Sequence, residues 1–288
     1  MAEKPTHGRI IVGVDPSAHA ARAVAWAARE AVARGLRLHL MHALDLPPGG
    51  PGLLLPDSFV EAGRTASALL LDRLGDDARH LEPAVRVTME TSEFGAAESL
   101  IASGGEGDLI VTGTRGHGGF AGLLLGSVSV RTAAHSRCPA VVVRADRTTV
   151  PGTEIVLGVE RDEDEAPIRF AFESCDTLGT DLTVVRAWLS APSYAGRYPT
   201  DRPAGEGDQA KEVERLIAPF RARHPGVSVT VRAMRGNAVP SLLDAGRGAR
   251  MIVIGAHRRH APLSVGVGYV VQGLLSHAET AVAIVPIA

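Results

Sequence analysis

The chain has 288 residues, room for two domains of ordinary size. Its 30 Lys and Arg are offset by 32 Asp and Glu, so no overall field marks nucleic acid or an anionic membrane as the main partner. Apolar residues make up 45% but aromatics only 4%, so the cores must be built from Ala, Val, Leu and Ile.

The opening residues carry no apolar secretory core, and no stretch reaches the ~18 apolar residues of a membrane span, which makes the cytoplasm the expected compartment. Ile10–Val14 reads as a first strand. A helix follows, with Ser17 as N-cap, an apolar face on Ala21, Val24, Ala28, Ala31 and Val32, and Gly35 as its stop. Next come a strand at Leu36–Leu44, a helix at Ser58–Leu74, a strand at Val85–Met89, a helix at Ala96–Ser103 and a strand at Leu109–Thr112. A helix at Val128–His135 and a strand at Ala140–Val143 complete the half. Several of these strands are apolar nearly throughout, as strands buried on both faces of a parallel sheet are. The alternation predicts an α/β fold with helices on both faces of the sheet.

The plan then repeats. Ile10 to Asp15 (IIVGVD) returns as Ile155 to Glu160 (IVLGVE), 145 residues on. Asp108 to Gly113 (DLIVTG) returns as Arg250 to Gly255 (RMIVIG), and Cys138 to Val143 as Thr280 to Val285, both 142 residues on. Three matches in one order mean duplication. The joint falls in Arg144 to Thr153, giving domains at 1–146 and 152–288. The second copy's strands are expected near Ile155–Val159, Asp181–Ala187, Val227–Ala233, Met251–Ile254 and Ala281–Val285. Cys138 and Cys175 are far apart, form no metal-ligand spacing and read as small buried hydrophobes.

The chemistry concentrates after the fourth strand. Gly113 and Gly116 have two residues between them; nine more lead to Gly126, then Ser127, Val128 and Ser129 at a helix start. Glycines let backbone N–H groups approach a ligand closely. A helix N-terminus offers unpaired N–H donors and the positive end of its dipole, which suits a phosphate chain.

This glycine spacing resembles the nucleotide-binding signature of the universal stress protein family, as do the opening IIVGVD with Ser17 and the ending CPAVVV. The resemblance spans the whole chain as two tandem copies. It implies two Rossmann-like domains of the adenine nucleotide alpha hydrolase kind, each with a five-stranded parallel sheet of order 3-2-1-4-5. Ligands of such sheets bind at carboxyl ends where the order reverses, between strands 1 and 4. Carried over, Asp15 would contact the adenosine, Ala43 would edge the adenine and Gly113 would lie beside the ribose. Gly116, Gly126, Ser127, Val128 and Ser129 would hold phosphates, and Val14, Ser17, Thr114 and Arg115 complete the candidate set. The implied ligand is ATP, or ADP or AMP, with Mg²⁺ on the phosphate oxygens. The implied role is regulatory, in stress response or dormancy. A homodimer, and pairing of the two fifth strands within one chain, are further implications.

The second copy departs from the motif. At the same alignment Gly116 becomes Arg258, Ser127 becomes Tyr269, Ser129 becomes Val271 and Asp15 becomes Glu160, while Asp162 replaces Ser17. Losing two hydrogen bonds to a charged ligand costs about 3–6 kcal/mol, so the second site reads as degenerate, with Arg258 and Arg259 gripping a phosphate as the alternative. No GxxxxGK[ST] occurs, which excludes a P-loop, and the GxGxxA-like run at Gly116 follows the fourth strand, whereas a dinucleotide fingerprint follows the first. His117 is the one weak candidate base for hydrolysis. His257 to His260 read as solvated loop, Asp162 to Glu165 as a helix start, Leu123 to Leu125 as loop packing and Pro47 to Gly52 as a flexible segment. Slow ATP hydrolysis and a nucleotide-independent scaffold are the alternatives to regulatory binding.

Overall fold

The computed structural model describes residues 8–44, 56–116, 125–144, 152–160, 165–188, 206–257 and 267–287. His117, Leu123, Leu124, Pro47 to Gly52, Asp162 and Arg258 to His260 lie outside them. The chain divides into two compact units, one holding the first five strands and the other the last five.

In the first unit the order along the chain is β1 (Arg9–Gly13), α1 (Ala18–Arg34), β2 (Arg37–Ala43), α2 (Asp57–Leu81), β3 (Val87–Ser92), α3 (Ala96–Ser103), β4 (Leu109–Gly113), α4 (Ser127–His135) and β5 (Ala140–Val143). All pairings are parallel and the sheet order is β3-β2-β1-β4-β5. Val12 lies in register with Leu40 on one side and Val111 on the other, at the centre of the sheet. Ile11, Met41, Leu100, Ile110 and Cys138 form a core cluster against which Val128 of α4 packs. Both cysteines are buried and free, and burial pushes the Cys138 thiol above its usual pKa.

The second unit repeats the plan as β6 (Glu154–Gly158), α5 (Glu165–Leu178), β7 (Asp181–Trp188), α6 (Glu206–Arg223), β8 (Val229–Arg235), α7 (Ala238–Ala245), β9 (Met251–His257), α8 (Tyr269–His277) and β10 (Ala281–Ile287). Its parallel sheet runs β10-β9-β6-β7-β8, the same order with β6 in the place of β1.

Two helices differ from their expected form. The buried stripe of α1 is Ala20, Ala23, Val24, Ala27, Ala28 and Ala31, whereas Ala21 and Val32 face outward. In a helix this rich in alanine, several adjacent stripes look equally apolar. Which one is buried is set by the sheet beneath. Helix α2 runs on past Leu74 to Leu81. Gly75 does not break it, because its bare Cα is where the helix meets β3: a Cβ there would lie 2.1 Å from the Met89 methyl carbon.

A chain of polar groups ties β2 to α2 and β3. His42 Nδ1 is 3.0 Å from Ser67 Oγ, which is 2.7 Å from Thr91 Oγ1. Burial holds the His42 imidazole below its ordinary 6.5, against a weaker upward pull from the Asp15 carboxylate. Burial likewise lowers His39. The fold therefore favours both rings neutral. Unfolded chain takes up protons first, so stability present above about pH 6.5 is lost as pH falls through the lower folded pKa values. The urea midpoint is expected to fall between pH 6.5 and 5, and His42→Gln is expected to flatten that slope. An unchanged slope would remove His42 from the account.

Candidate functional site

In the first unit the sheet order reverses between β1 and β4, and it is at the carboxyl ends of two such strands that an open parallel sheet offers a crevice. Strand β1 ends at Gly13, and Val14 N donates to Met41 O at 2.9 Å, extending the pairing with β2 by one step. Asp15 then leaves the sheet. Its Oδ1 accepts from Ser17 N at 3.0 Å, and Ser17 Oγ accepts from Ala20 N at 3.1 Å as the N-cap of α1. These two bonds fix the turn and hold Asp15, half-buried, at the mouth of the crevice. Ala43 ends β2, the neighbouring strand on the same side of the sheet.

Strand β4 ends at Gly113, which packs against the start of α1 so closely that a Cβ would lie 2.8 Å from His19 O and 2.9 Å from His19 C. Thr114 is buried, while Arg115 and Gly116 are exposed. Gly116 sits over Asp15: a Cβ on it would lie 2.5 Å from Asp15 Oδ2. Gly126 N donates to Thr114 O at 2.7 Å, so the chain returns beside Gly116 before α4 begins. The first-strand carboxylate and two of the motif's three glycines, Gly116 and Gly126, thus meet at one place.

Helix α4 begins one residue earlier than expected, at Ser127, and no side chain caps it. Its first intrahelical bond runs from Val130 N to Gly126 O at 3.2 Å. The N–H groups of Ser127, Val128 and Ser129 therefore stand ahead of the ladder, at the positive end of the helix. The Ser127 side chain is exposed. Ser129 is buried, and its hydroxyl donates to Gly113 O at 2.5 Å, joining α4 to the end of β4. That hydroxyl hydrogen is spent on the frame of the site, which leaves Ser129 its backbone N–H as a donor.

One participant escaped the sequence reading. His19 Nδ1 lies 3.0 Å from Arg22 Nη2 and 3.2 Å from Thr114 Oγ1. A guanidinium only donates, so Nδ1 is an acceptor and the ring carries its proton on Nε2. The histidine links α1 to the loop after β4. No motif marks it; its only signal is its place in the first turn of a helix that starts at the crevice.

The second unit is equipped differently at the matching end of its sheet. Val159 N donates to Val185 O at 3.0 Å, as Val14 does to Met41. Glu160, in the place of Asp15, is exposed. Tyr269 does start α8, but its side chain is 76% exposed, so it leaves the crevice open instead of filling it. A cavity of about 660 Å³ is found there, reaching from Val159 and Glu160 to Trp188, Asn237 and Val270.

Among the described residues, no cluster of His, Cys, Asp and Glu has the makings of a metal site, and no helix is long and apolar enough to cross a membrane.

Comparison with known proteins gives one answer. The profile of the universal stress protein family matches twice, over residues 6–144 and 153–286. A universal stress protein of Mycolicibacterium smegmatis is 28% identical over 297 aligned residues, covering 99% of each chain. The crystal structure of a universal stress protein from Archaeoglobus fulgidus superposes with a TM-score of 0.73 at 13% identity, covering 98% of this chain and 97% of that one. Another from Archaeoglobus fulgidus, in complex with dAMP, matches 48% of this chain and 98% of its own at 22% identity, with a TM-score of 0.36.

Proposed function

The chain belongs to the universal stress protein family through both of its halves, and from that premise we propose that its first half holds an adenine nucleotide, ATP in the first place, as a regulatory ligand in stress response or dormancy. One observation carries the reading: Asp15, Gly116, Gly126 and the leading N–H groups of α4 converge at the point where the sheet order reverses. The donors suit a phosphate chain. Asp15 bears the charge that a ribose hydroxyl satisfies as a donor, and the backbone at Ala43 offers an edge to the base. Val14, Ser17, Thr114 and Arg115 frame these contacts, with Ser17 and Thr114 acting through the turns they stabilise. Mg²⁺, when present, travels on the phosphate oxygens and water, since it keeps few protein ligands.

Binding is favoured over turnover because the donors at the phosphate end are backbone N–H groups and hydroxyls, and Asp15, the carboxylate beside them, accepts from Ser17 N within its own turn. Calorimetric titration of Mg·ATP and Mg·ADP into the full chain tests the reading. Saturable binding at micromolar concentration or tighter, with release of phosphate slower than a few turnovers per minute, is expected. No heat of binding would leave a nucleotide-independent scaffold. Sustained turnover would make the protein an ATP hydrolase. Sedimentation of the same samples tests the homodimer.

A further inference from the structure

The cavity of the second unit lies at the carboxyl ends of β6, β7 and β9, and its lining is not that of a phosphate site. Val159, Val185, Leu242, Ile254 and Ile287 supply apolar walls. Its volume of about 660 Å³ is in the range of small-molecule sites, which are mostly apolar with a few convergent polar groups.

The polar groups are unusual. Arg186 and Trp188 end β7, and both line the cavity. The Arg186 side chain is only 13% exposed, and its Nη2 pairs with Glu212 of α6 at 3.3 Å. Arg186 Nη1 and Trp188 Nε1 are buried, and neither has a hydrogen-bond partner among the described residues. Two buried donors without acceptors beside a cavity are costly unless something supplies the acceptor, and because both nitrogens lie behind the cavity surface, a ligand meets them through a turn of the two side chains. In the first unit the matching strand-end residues are His42 and Leu44, and His42 is satisfied by Ser67. At these two strand-end positions the described residues leave donors unpaired in the second copy and not in the first, where the buried groups without a partner are Arg22 Nε and Thr132 Oγ1, away from the end of β2.

Two helices also begin at this cavity. Asn237 and Ala238 open α7, Tyr269 and Val270 open α8, and no side chain caps either helix. Their leading N–H groups add positive potential at the same place. Against them stand the carboxylates of Glu160, on the rim, and Glu212, beside Arg186. One guanidinium and two helix starts against two carboxylates leave the site close to neutral, which opposes the several charges of a nucleoside triphosphate far more than a single one. The serines that follow the glycine in the first copy are here Tyr269 and Val271.

We propose that the second unit binds a small apolar carboxylic acid, its carboxylate taken by Arg186 and Trp188 and its hydrocarbon body by the walls of Val159, Leu242 and Ile254. The two halves of the chain would then sense different chemistries. The inference does not rest on nucleotide binding by the first half.

Trp188 is one of two tryptophans, so its emission can be isolated in a Trp26→Phe background. Octanoate, octan-1-ol and Mg·ATP serve as probes. Octanoate is expected to change the Trp188 emission saturably at one site per chain, and octan-1-ol to bind at least about tenfold more weakly, the worth of a charge-assisted hydrogen bond. Mg·ATP is expected not to displace octanoate. Arg186→Met is expected to weaken octanoate about tenfold or more and to leave octan-1-ol unchanged, while Leu242→Phe, which narrows the cavity, weakens both. Should Arg186→Met fail to fold, the octanoate to octan-1-ol ratio in the Trp26→Phe protein decides alone. Equal affinity for acid and alcohol, no saturable change, or displacement of octanoate by Mg·ATP would each overturn the proposal. Mg·ATP titration into Arg186→Met keeps the two readings apart, because a nucleotide in the first half is indifferent to that change.

Discussion

Replacing Gly126 by aspartate is expected to separate stability from binding, weakening Mg·ATP by two to four decades while leaving the fold as stable as before or slightly more so. Gly126 is the N-cap of α4, with φ −77° and ψ 145°, backbone that any residue adopts. A Cβ there would meet Thr114 O at 3.3 Å, a contact relieved by a shift of a few tenths of an ångström. Aspartate is among the best N-caps, and its carboxylate would accept from the N–H groups of Val128 and Ser129. Those are the donors assigned to the phosphates. The substitution therefore occupies two charge-assisted bonds, about 3–6 kcal/mol, and adds repulsion toward the ligand. Calorimetry should show the loss, and a thermal melt should show none. Binding unchanged in Gly126→Asp would take the phosphates away from α4.

The second large effect is structural. Gly113→Ala is expected to destabilise the first unit by about 1–3 kcal/mol, the range for overpacking. The added methyl would lie 2.8 Å from His19 O and 2.9 Å from His19 C, atoms of backbone that cannot swing aside. Relief requires α1 to move off the end of β4. That would pull His19 from Thr114 and disturb Asp15, which the first turn of α1 positions. Urea denaturation should show the lower midpoint, and ATP affinity should fall with it. A wild-type midpoint would mean that α1 and β4 are not in the close contact described.

How much of this was readable beforehand differs from residue to residue. The strands at Ile10, Leu109 and Ala140 stood out because parallel strands covered on both faces are apolar at every position. The Ser17 cap and the Gly35 stop were readable because each rests on local chemistry: Ser17 Oγ accepts from Ala20 N, and Gly35 takes φ 67°, open to glycine without strain. The α1 stripe holds at Val24, Ala28 and Ala31 and differs at Ala21 and Val32, because alanine carries too little contrast between faces. The end of α2 was misplaced because Gly75 answers to Met89, a contact with no trace in the local sequence.

At the site, the glycine spacing pointed to Gly116 and Gly126, the end of the first strand and the family resemblance pointed to Asp15, and the structure brings those three together. The spacing did not reveal that the Ser129 hydroxyl faces Gly113 O, because a serine at a helix start looks the same whether it turns toward a ligand or the frame. His19 was invisible for a related reason: its link to Thr114, far away along the chain, is made only by folding. In the second copy, the departures from the motif were plain in Tyr269 and Val271. The pairing of Arg186 with Glu212 and the lone Trp188 N–H required the packing of β7 on α6 to be seen.

The central claim, a nucleotide in the first half, is tested most directly by photolabelling the full chain with 8-azido-ATP and mapping the modified peptides. The account predicts label on peptides within residues 8–144, near the end of β2 or the segment after β4, suppressed by excess Mg·ATP. Label confined to residues 152–287, or label that Mg·ATP does not suppress, would contradict it.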